Sequence, residues 1–167
     1  MLHFNRLERS ALRPFSSCMN WGCTGGEMNK TKYVLMSIKP CYAQLIKTGK
    51  KTVELRRIVP KITSGDFIVI YESKPVQRIT AICEVEVVLS TKILDLWDQV
   101  QNEACVTKDT FERYFAGKEH GNGIKLKNVA VLNNSKLLSE LTPSLIPPQS
   151  YCYISASQFN SLFANSK

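Results

Sequence analysis

The pattern of apolar and polar positions divides most of the chain into short strands and helices. Some segments are almost wholly apolar and others alternate with a period of two, and both patterns are typical of strands. The predicted strands are residues 33–38, 51–57, 67–71, 79–87, 121–132 and 151–154. In the second of them, the period of two puts Val53 and Leu55 on one face and Thr52, Glu54 and Arg56 on the other.

Helical spacing of apolar residues marks the remaining elements. The first helix is predicted to start at Pro40, which suits an initial helical position, and to end near Gly49. Further apolar stripes predict helices at residues 93–100, 107–116 and 159–163. Pro143, Pro147 and Pro148 predict an irregular segment before the last strand.

These elements favour an α+β fold in one domain. Helices do not separate the strands regularly, which argues against a parallel α/β sheet and for a small, strongly bent or barrel-like sheet with flanking helices. The domain is predicted to span residues 28–167. Residues 1–27 lack periodicity and contain several glycines and serines, so they are expected to be a disordered or non-native extension.

Charge and composition narrow the possible partners. The 167 residues carry 22 Lys and Arg against 14 Asp and Glu, a net charge of +8 that favours phosphate-bearing partners. No apolar run approaches the roughly 20 residues that a membrane helix needs, and no secretory signal is visible, so the cytoplasm is the expected compartment. The six cysteines form no CxxC pair, so we expect neither a metal site nor a cofactor.

Residues 47–61 concentrate the positive charge, with Glu54 as their one acid. The cations are Lys47, Lys50, Lys51, Arg56, Arg57 and Lys61. A patch of this kind is what phosphate contacts require. Glu54 is expected to stay ionised there and to orient Lys51 or Arg56, or to accept a hydrogen bond from a ligand. The alternative is a solvated edge strand that its charges protect from pairing.

Three junctions between elements supply further candidate ligand contacts. Ser37 and Lys39 stand where a strand meets a helix, and free amides at a helix start attract anions. Tyr71 and Ser73 follow an apolar strand, where the Tyr71 ring could stack on a base. Gln149 precedes the last strand and could read a base edge. The alternatives are a plain turn, a core tyrosine and a rigid loop.

Four segments, taken together, resemble one family. They are Ser37-Ile38-Lys39-Pro40, Gly49-Lys50-Lys51-Thr52-Val53-Glu54-Leu55-Arg56, Ile70-Tyr71-Glu72-Ser73-Lys74-Pro75-Val76 and Pro148-Gln149-Ser150-Tyr151. The stretch from 33 to 154 is thereby similar to the ASCH group of PUA-like proteins, some of which are described as predicted transcriptional regulators. The resemblance implies a small β-barrel with flanking helices, a cleft beside the first helix, and binding of RNA.

The first functional hypothesis is therefore a domain that binds RNA or a nucleotide or nucleoside, possessing no catalytic role. Its expected ligand contacts are Ser37, Lys39, Lys51, Glu54, Arg56, Tyr71, Ser73 and Gln149. The sequence leaves the identity of the ligand and the oligomeric state open.

Two alternatives remain. Some ASCH relatives are acetylcytidine amidohydrolases or ribonucleases, and an enzyme of either kind would use Lys51 as base or charge stabiliser and Glu54 as general acid or base. The amidohydrolases carry a threonine nucleophile where this chain has Glu54, which argues against that activity. A DNA-binding regulator would need a basic face on the 107–116 helix, where Phe111 and Phe115 instead predict packing against the sheet.

Overall fold

The structure is a computed structural model that describes residues 30–163, so the prediction for residues 1–27 lies outside the described residues. The strands are β1 (Tyr33–Ile38), β2 (Val53–Arg56), β3 (Phe67–Glu72), β4 (Arg78–Lys92), β5 (His120–Lys136) and β6 (Tyr151–Ile154). The helices are α1 (Pro40–Lys47), α2 (Ile93–Val100), α3 (Lys108–Phe115), α4 (Leu138–Leu141) and α5 (Ala156–Ser161).

The six strands form one sheet in the order β2-β5-β4-β3-β1-β6. The β1–β3 pair is parallel and the other four pairs are antiparallel. The predicted α+β class is therefore confirmed.

The predicted closure into a barrel is not observed. In the part of the chain that the structure describes, the edge strands β2 and β6 are not paired with each other. The side chain of Arg56, at the end of β2, reaches across to the carbonyl oxygen of Ser37 in β1 and to the hydroxyl of Ser150 just before β6. The sheet thus curls until its two edges face each other. Within the described residues the Arg56 side chain bridges these edges, and no backbone ladder joins them.

The two faces of the sheet carry separate hydrophobic clusters. Val34 and Met36 of β1 are buried in one cluster with Ala43 and Ile46 of α1. Leu35 points to the other face, where it shares a cluster with Phe159 of α5. This alternation follows from the period of two along a strand, and it fixes α1 and α5 on opposite faces. Each fully buried aliphatic side chain contributes about 1.5–3 kcal/mol.

A third cluster attaches α2 and α3 to β2. Val53 and Leu55 pack there with Leu96, Phe111 and Phe115, and the rings of the two phenylalanines lie 4.8 Å apart between centroids. The predicted division of β2 into two faces is confirmed. Since the apolar face is covered by α3, Glu54 and Arg56 project to the opposite side.

The long strands β4 and β5 depart from the simple pattern in the sequence. Both extend beyond their predicted ends, and their pairing contains register shifts, one of them between Val85 and Val87. A period of two along residues 79–87 places Val87 on the same face as Val85, yet Val87 is exposed and Val85 is fully buried. A bulge adds a residue to one strand and so reverses the facing of those beyond it. The short helix α4 was not predicted from the sequence.

Replacement of Phe111 by alanine tests how firmly α3 is seated on β2. We expect Phe111→Ala to lower the free energy of unfolding by about 3–5 kcal/mol, because a large aromatic side chain leaves a cavity in the third cluster. Urea unfolding measures the loss. Glu112→Ala, on the exposed side of the same helix, is the control and should change the free energy by about 0.5 kcal/mol or less. Equal losses in the two variants would contradict the observed seating.

Candidate functional site

A cleft of about 470 Å³ opens where the two edges of the sheet face each other. It lies beside α1, as the family resemblance implied. Its walls come from the β1–α1 junction, β2, α3 and the segment before β6. The lining residues are Ser37, Ile38, Lys39, Tyr42, Lys51, Glu54, Leu55, Arg56, Ser73, Val106, Thr110, Phe111, Tyr114, Gln149 and Ser150.

The turn that follows α1 places Lys51 at the floor of this cleft. Gly49 has a φ of 71°, in the left-handed region that favours glycine, and its N–H donates to the carbonyl oxygen of Ile46. The N–H of Lys51 then donates to the carbonyl oxygen of Leu45 at 3.0 Å. The chain therefore reverses sharply and enters β2, whose alternation aims Glu54 and Arg56 at the same space.

Lys51, Glu54 and Arg56 form a buried charged triad. Their exposed fractions are 2%, 7% and 8%. Lys51 Nζ lies 3.6 Å from Glu54 Oε2, and Arg56 Nη2 lies 3.1 Å from Glu54 Oε1. Glu54 is therefore paired with both cations, as expected if it orients them. Two cations against one carboxylate leave the triad with one excess positive charge.

Burial shifts the protonation equilibrium of the Lys51 amine. Its Nζ donates to the carbonyl oxygen of Ala104 at 2.6 Å and lies 5.3 Å from the centroid of the Tyr42 ring. Desolvation lowers the pKa of Lys51, and the neighbouring Glu54 carboxylate opposes this only in part. The amine is therefore easier to deprotonate than an exposed lysine.

Arg56 combines a structural and a lining role. Its Nη2 donates to the carbonyl oxygen of Ser37 at 2.7 Å, and its Nη1 donates to the hydroxyl of Ser150 at 3.3 Å. Its Nε is buried and has no hydrogen-bond partner among the described residues. The guanidinium is thus fixed in place with one donor still unsatisfied.

Two tyrosines add aromatic surface to the cleft. Tyr42 comes from the first turn of α1 and Tyr114 from α3. Burial raises the pKa of Tyr42, with the nearby Glu54 acting in the same direction. The phenol therefore stays neutral around pH 7 and presents a ring and a hydroxyl to a ligand.

The basic segment 47–61 does not form one surface patch. Lys47 turns to Glu72, with Nζ and Oε1 2.6 Å apart, while Lys51 and Arg56 are buried in the triad. Lys50, Arg57 and Lys61 are exposed. The interpretation of β2 as a solvated edge strand is also wrong, because all four of its residues are buried.

Most of the residues predicted from the sequence come together in the cleft. Those that line it are Ser37, Lys39, Lys51, Glu54, Arg56, Ser73 and Gln149. Tyr71 does not, because it lies on the face of β3 that contributes Val69 to the second core cluster. The residue is only 3% exposed. A continuous apolar run gives no alternation from which the facing of Tyr71 could be inferred.

Sequence reasoning missed other lining residues, among them Tyr42, Thr110, Tyr114 and Ser150. Tyr42 and Tyr114 sit within apolar helical stripes, which made them look like core residues. Ser150 adjoins Gln149, and its position in the resembling segment was the one available signal.

Residues 36–134, more than half of the chain, match the ASCH domain. The chain belongs to the ASCH domain family. The resemblance inferred from the sequence is thereby confirmed.

Relatives from Zymomonas mobilis support this membership. An ASCH domain-containing ribonuclease of that organism is 29% identical over 125 residues, which cover 74% of this chain and 84% of the relative. The crystal structure of ASCH from Zymomonas mobilis superimposes with a TM-score of 0.76 at 26% identity, covering 80% of this chain and 95% of that one. The structure of a single-residue variant of that protein superimposes with a TM-score of 0.74.

The surface of α3 does not provide a basic face for DNA. Its exposed charges pair along the helix, Lys108 with Glu112 and Arg113 with Asp109. Phe111 and Phe115 are 1% and 2% exposed, which matches the predicted packing against the sheet. The DNA-binding hypothesis therefore lacks the surface that it requires on this helix.

No helix within residues 30–163 is long and apolar enough to cross a membrane. Nor does the range hold a cluster of three or more His, Cys, Asp or Glu side chains placed to hold a metal ion.

The lowered pKa of Lys51 makes a prediction about stability at alkaline pH. Between the folded-state pKa and the ordinary value of 10.5, the unfolded chain binds more protons at Lys51 than the folded chain does. The contribution of Lys51 to the free energy of unfolding should therefore rise with pH across that window. We expect the parent to gain stability relative to Lys51→Met as the pH rises toward 10.5, as measured by urea unfolding.

Lys50→Met controls for loss of a lysine at the exposed neighbouring position. A difference between the parent and Lys51→Met that falls as pH rises would show that the amine is instead stabilised in its charged form.

Proposed function

We propose that this ASCH domain binds RNA or a nucleotide in the cleft between the sheet edges. The observation that carries the proposal is the triad of Lys51, Glu54 and Arg56, buried at the floor of an open cleft with an excess positive charge. Membership of the ASCH family and the ribonuclease name of the Zymomonas mobilis relative both agree with an RNA ligand.

The charge of the triad suits a phosphate group. Isolated buried charge is costly, and an anion in the cleft would balance the one positive charge that Glu54 leaves unmatched. Arg56 still has a buried Nε without a partner in the described residues. Lys39, exposed at the N-cap position of α1, adds a cation at the rim. The triad and Lys39 together favour binding of a phosphate group near the floor or the mouth of the cleft.

Polar and aromatic groups on the walls suit the rest of a nucleotide. Tyr42 and Tyr114 offer planar surface for a base or sugar. Ser73 and Gln149 lie at the cleft and can donate and accept hydrogen bonds, as recognition of base edges requires. The volume of about 470 Å³ fits a small ligand or one residue of a longer strand.

A ribonuclease is the second candidate, because the Zymomonas mobilis relative carries that name. In this case Glu54 would take the proton of a ribose 2′-hydroxyl, whose oxygen would attack the adjacent phosphorus. Lys51 would stabilise the charge and return a proton to the departing 5′-oxygen. The products would be a 2′,3′-cyclic phosphate and a free 5′-hydroxyl.

An amidohydrolase of acetylcytidine is less well supported. Glu54 occupies the position of the threonine nucleophile in the enzymes that this chain resembles. The hydroxyl of nearby Thr52 donates to Glu103 at 3.1 Å and does not line the cleft. Thr110 does line it, but it comes from α3 rather than from the equivalent position.

The salt dependence of RNA binding tests the proposal. The affinity of the parent for a short single-stranded RNA should fall as the salt concentration rises. Lys39→Ala should lower the affinity, and it should reduce the magnitude of the slope of log K against log salt by about 0.7–1. Lys127→Ala is the matched control, since this lysine pairs with Glu84 outside the cleft. Absence of binding by the parent at low salt would overturn the proposal.

Turnover distinguishes the binder from the enzymes. We expect RNA and acetylcytidine to be recovered intact after incubation with the parent, as analysed by denaturing gel and by chromatography. If either is consumed, Lys51→Met and Glu54→Gln should each reduce the rate by about 100-fold or more, while Lys50→Met should not. If RNA or acetylcytidine is consumed and the consumption depends on Lys51, the protein is a ribonuclease or an amidohydrolase and not only a binder.

A further inference from the structure

Tyr114 interrupts the buried stripe of α3. Tyr114 is 36% exposed, whereas Phe111 and Phe115 on the same helix are buried. The rings of Tyr114 and Phe115 are nearly perpendicular, with 4.8 Å between the centroids, and the Tyr114 hydroxyl donates to the carbonyl oxygen of Leu55 at 3.4 Å. Tyr114 is thus anchored through its contact with Phe115 and through its hydroxyl, and it still contributes to the wall of the cleft.

Arg57 holds the same tyrosine from outside the cleft. Its guanidinium carbon lies 4.9 Å from the centroid of the Tyr114 ring, and its Nε donates to the backbone oxygen of Tyr114. Asn122 Nδ2 donates to the carbonyl oxygens of Arg56 and Arg57 at 3.1 and 3.3 Å, which fixes the backbone beneath. Arg57 does not line the cleft. Its guanidinium therefore covers the face of the Tyr114 ring that points away from the cleft.

The alternation of β2 explains this arrangement. Arg56 points into the cleft, and Arg57, the next residue, continues toward the face that carries Val53 and Leu55 and meets α3. Of the two adjacent arginines, Arg56 therefore enters the cleft, whereas Arg57 contacts Tyr114 outside it. Arg56 contributes charge at the floor, whereas the charge of Arg57 is directed at an aromatic ring.

We infer that Tyr114 is a stacking platform for one nucleobase and that Arg57 is its positioning residue. The inference rests on the proposed function and specifies how the cleft takes a base. An arginine over one face of a tyrosine leaves the opposite face for a planar ligand. The ring is fixed before the ligand arrives, so less freedom is lost on stacking.

This assignment separates Arg57 from a phosphate contact. A phosphate-binding arginine releases counterions, and its loss lowers the salt slope of binding. A positioning arginine acts through the stacked base, so its loss should weaken binding of RNA that carries bases and leave the salt slope unchanged.

The test compares a short labelled oligoadenylate with the same sugar–phosphate chain lacking bases. Affinities of the parent, Arg57→Gln, Arg57→Lys, Tyr114→Ala and the double variant Arg57→Gln with Tyr114→Ala are measured for both probes at several salt concentrations. Arg113→Gln is the control, because it removes an equal charge from the exposed side of α3, where Arg113 pairs with Asp109. Thermal unfolding of every variant checks that the domain is folded.

We expect the preference of the parent for the base-bearing probe to fall about tenfold in Tyr114→Ala and about threefold in Arg57→Gln, with unchanged salt slopes. Arg57→Lys should recover part of the preference, since it keeps a cation but loses the planar fork. The double variant should bind like Tyr114→Ala alone, because Arg57 acts through that ring.

Other outcomes overturn the inference. A reduced salt slope in Arg57→Gln would make Arg57 a phosphate contact, and identical effects of Arg57→Gln and Arg113→Gln would leave it only a surface charge. If the parent binds neither probe, the proposed function fails and the inference fails with it. Binding by the parent with no change in the variants removes the inference alone.

Discussion

The guanidinium of Arg56 connects β2 to the opposite edge of the sheet, where β1 pairs with β6. It lies 3.1 Å from Glu54 on its own strand, 2.7 Å from the carbonyl oxygen of Ser37 in β1, and 3.3 Å from the hydroxyl of Ser150 before β6. A closed barrel would have a ladder of backbone bonds between those edges. Here one side chain spans the gap, so the sheet keeps its curl and the opening remains as a cleft. Burying the cation costs several kcal/mol, and these charged hydrogen bonds must offset that cost.

The strand β2 connects this opening to the helical layer. Its apolar face, with Val53 and Leu55, is covered by α2 and α3, and its polar face supplies Glu54 and Arg56 to the cleft floor. The four residues of β2 therefore determine where α3 sits and supply two of the charged side chains of the cleft. A shift of one residue in the register of β2 against β5 would exchange the two faces. The pairing of Leu55 with Gly123 and of Arg56 with Asn122 holds this register.

The sequence predicts the helices and strands well where the apolar residues follow a clear pattern. It does not predict the facing or burial of side chains where that pattern is absent or where a distant residue determines it. α1 and α3 follow from a helical stripe, β2 from alternation, and β1 from a short, mostly apolar run. Tyr71 was expected in the cleft, but the apolar run of β3 contains no alternation that indicates its face. The burial of Lys51 was also beyond the sequence, because its amine bonds the carbonyl oxygen of Ala104, 53 residues away. The patch at 47–61 is dense in sequence and divided in space, since each cation follows the direction of its own element.

The contacts of Glu54 bear on the choice between binding and catalysis. Oε1 is engaged by Arg56 and Oε2 lies near Lys51, so removal of a ligand proton by this carboxylate would require at least one of these contacts to be rearranged. Binding needs no such change, since a fixed arrangement of two cations around one carboxylate already presents excess positive charge to a phosphate. Preorganisation of this kind lowers the cost of ordering side chains on association. The resting geometry therefore favours a binder, and a nuclease built on the same residues would need the incoming phosphate to draw Lys51 or Arg56 away from Glu54 before the carboxylate could act as a base.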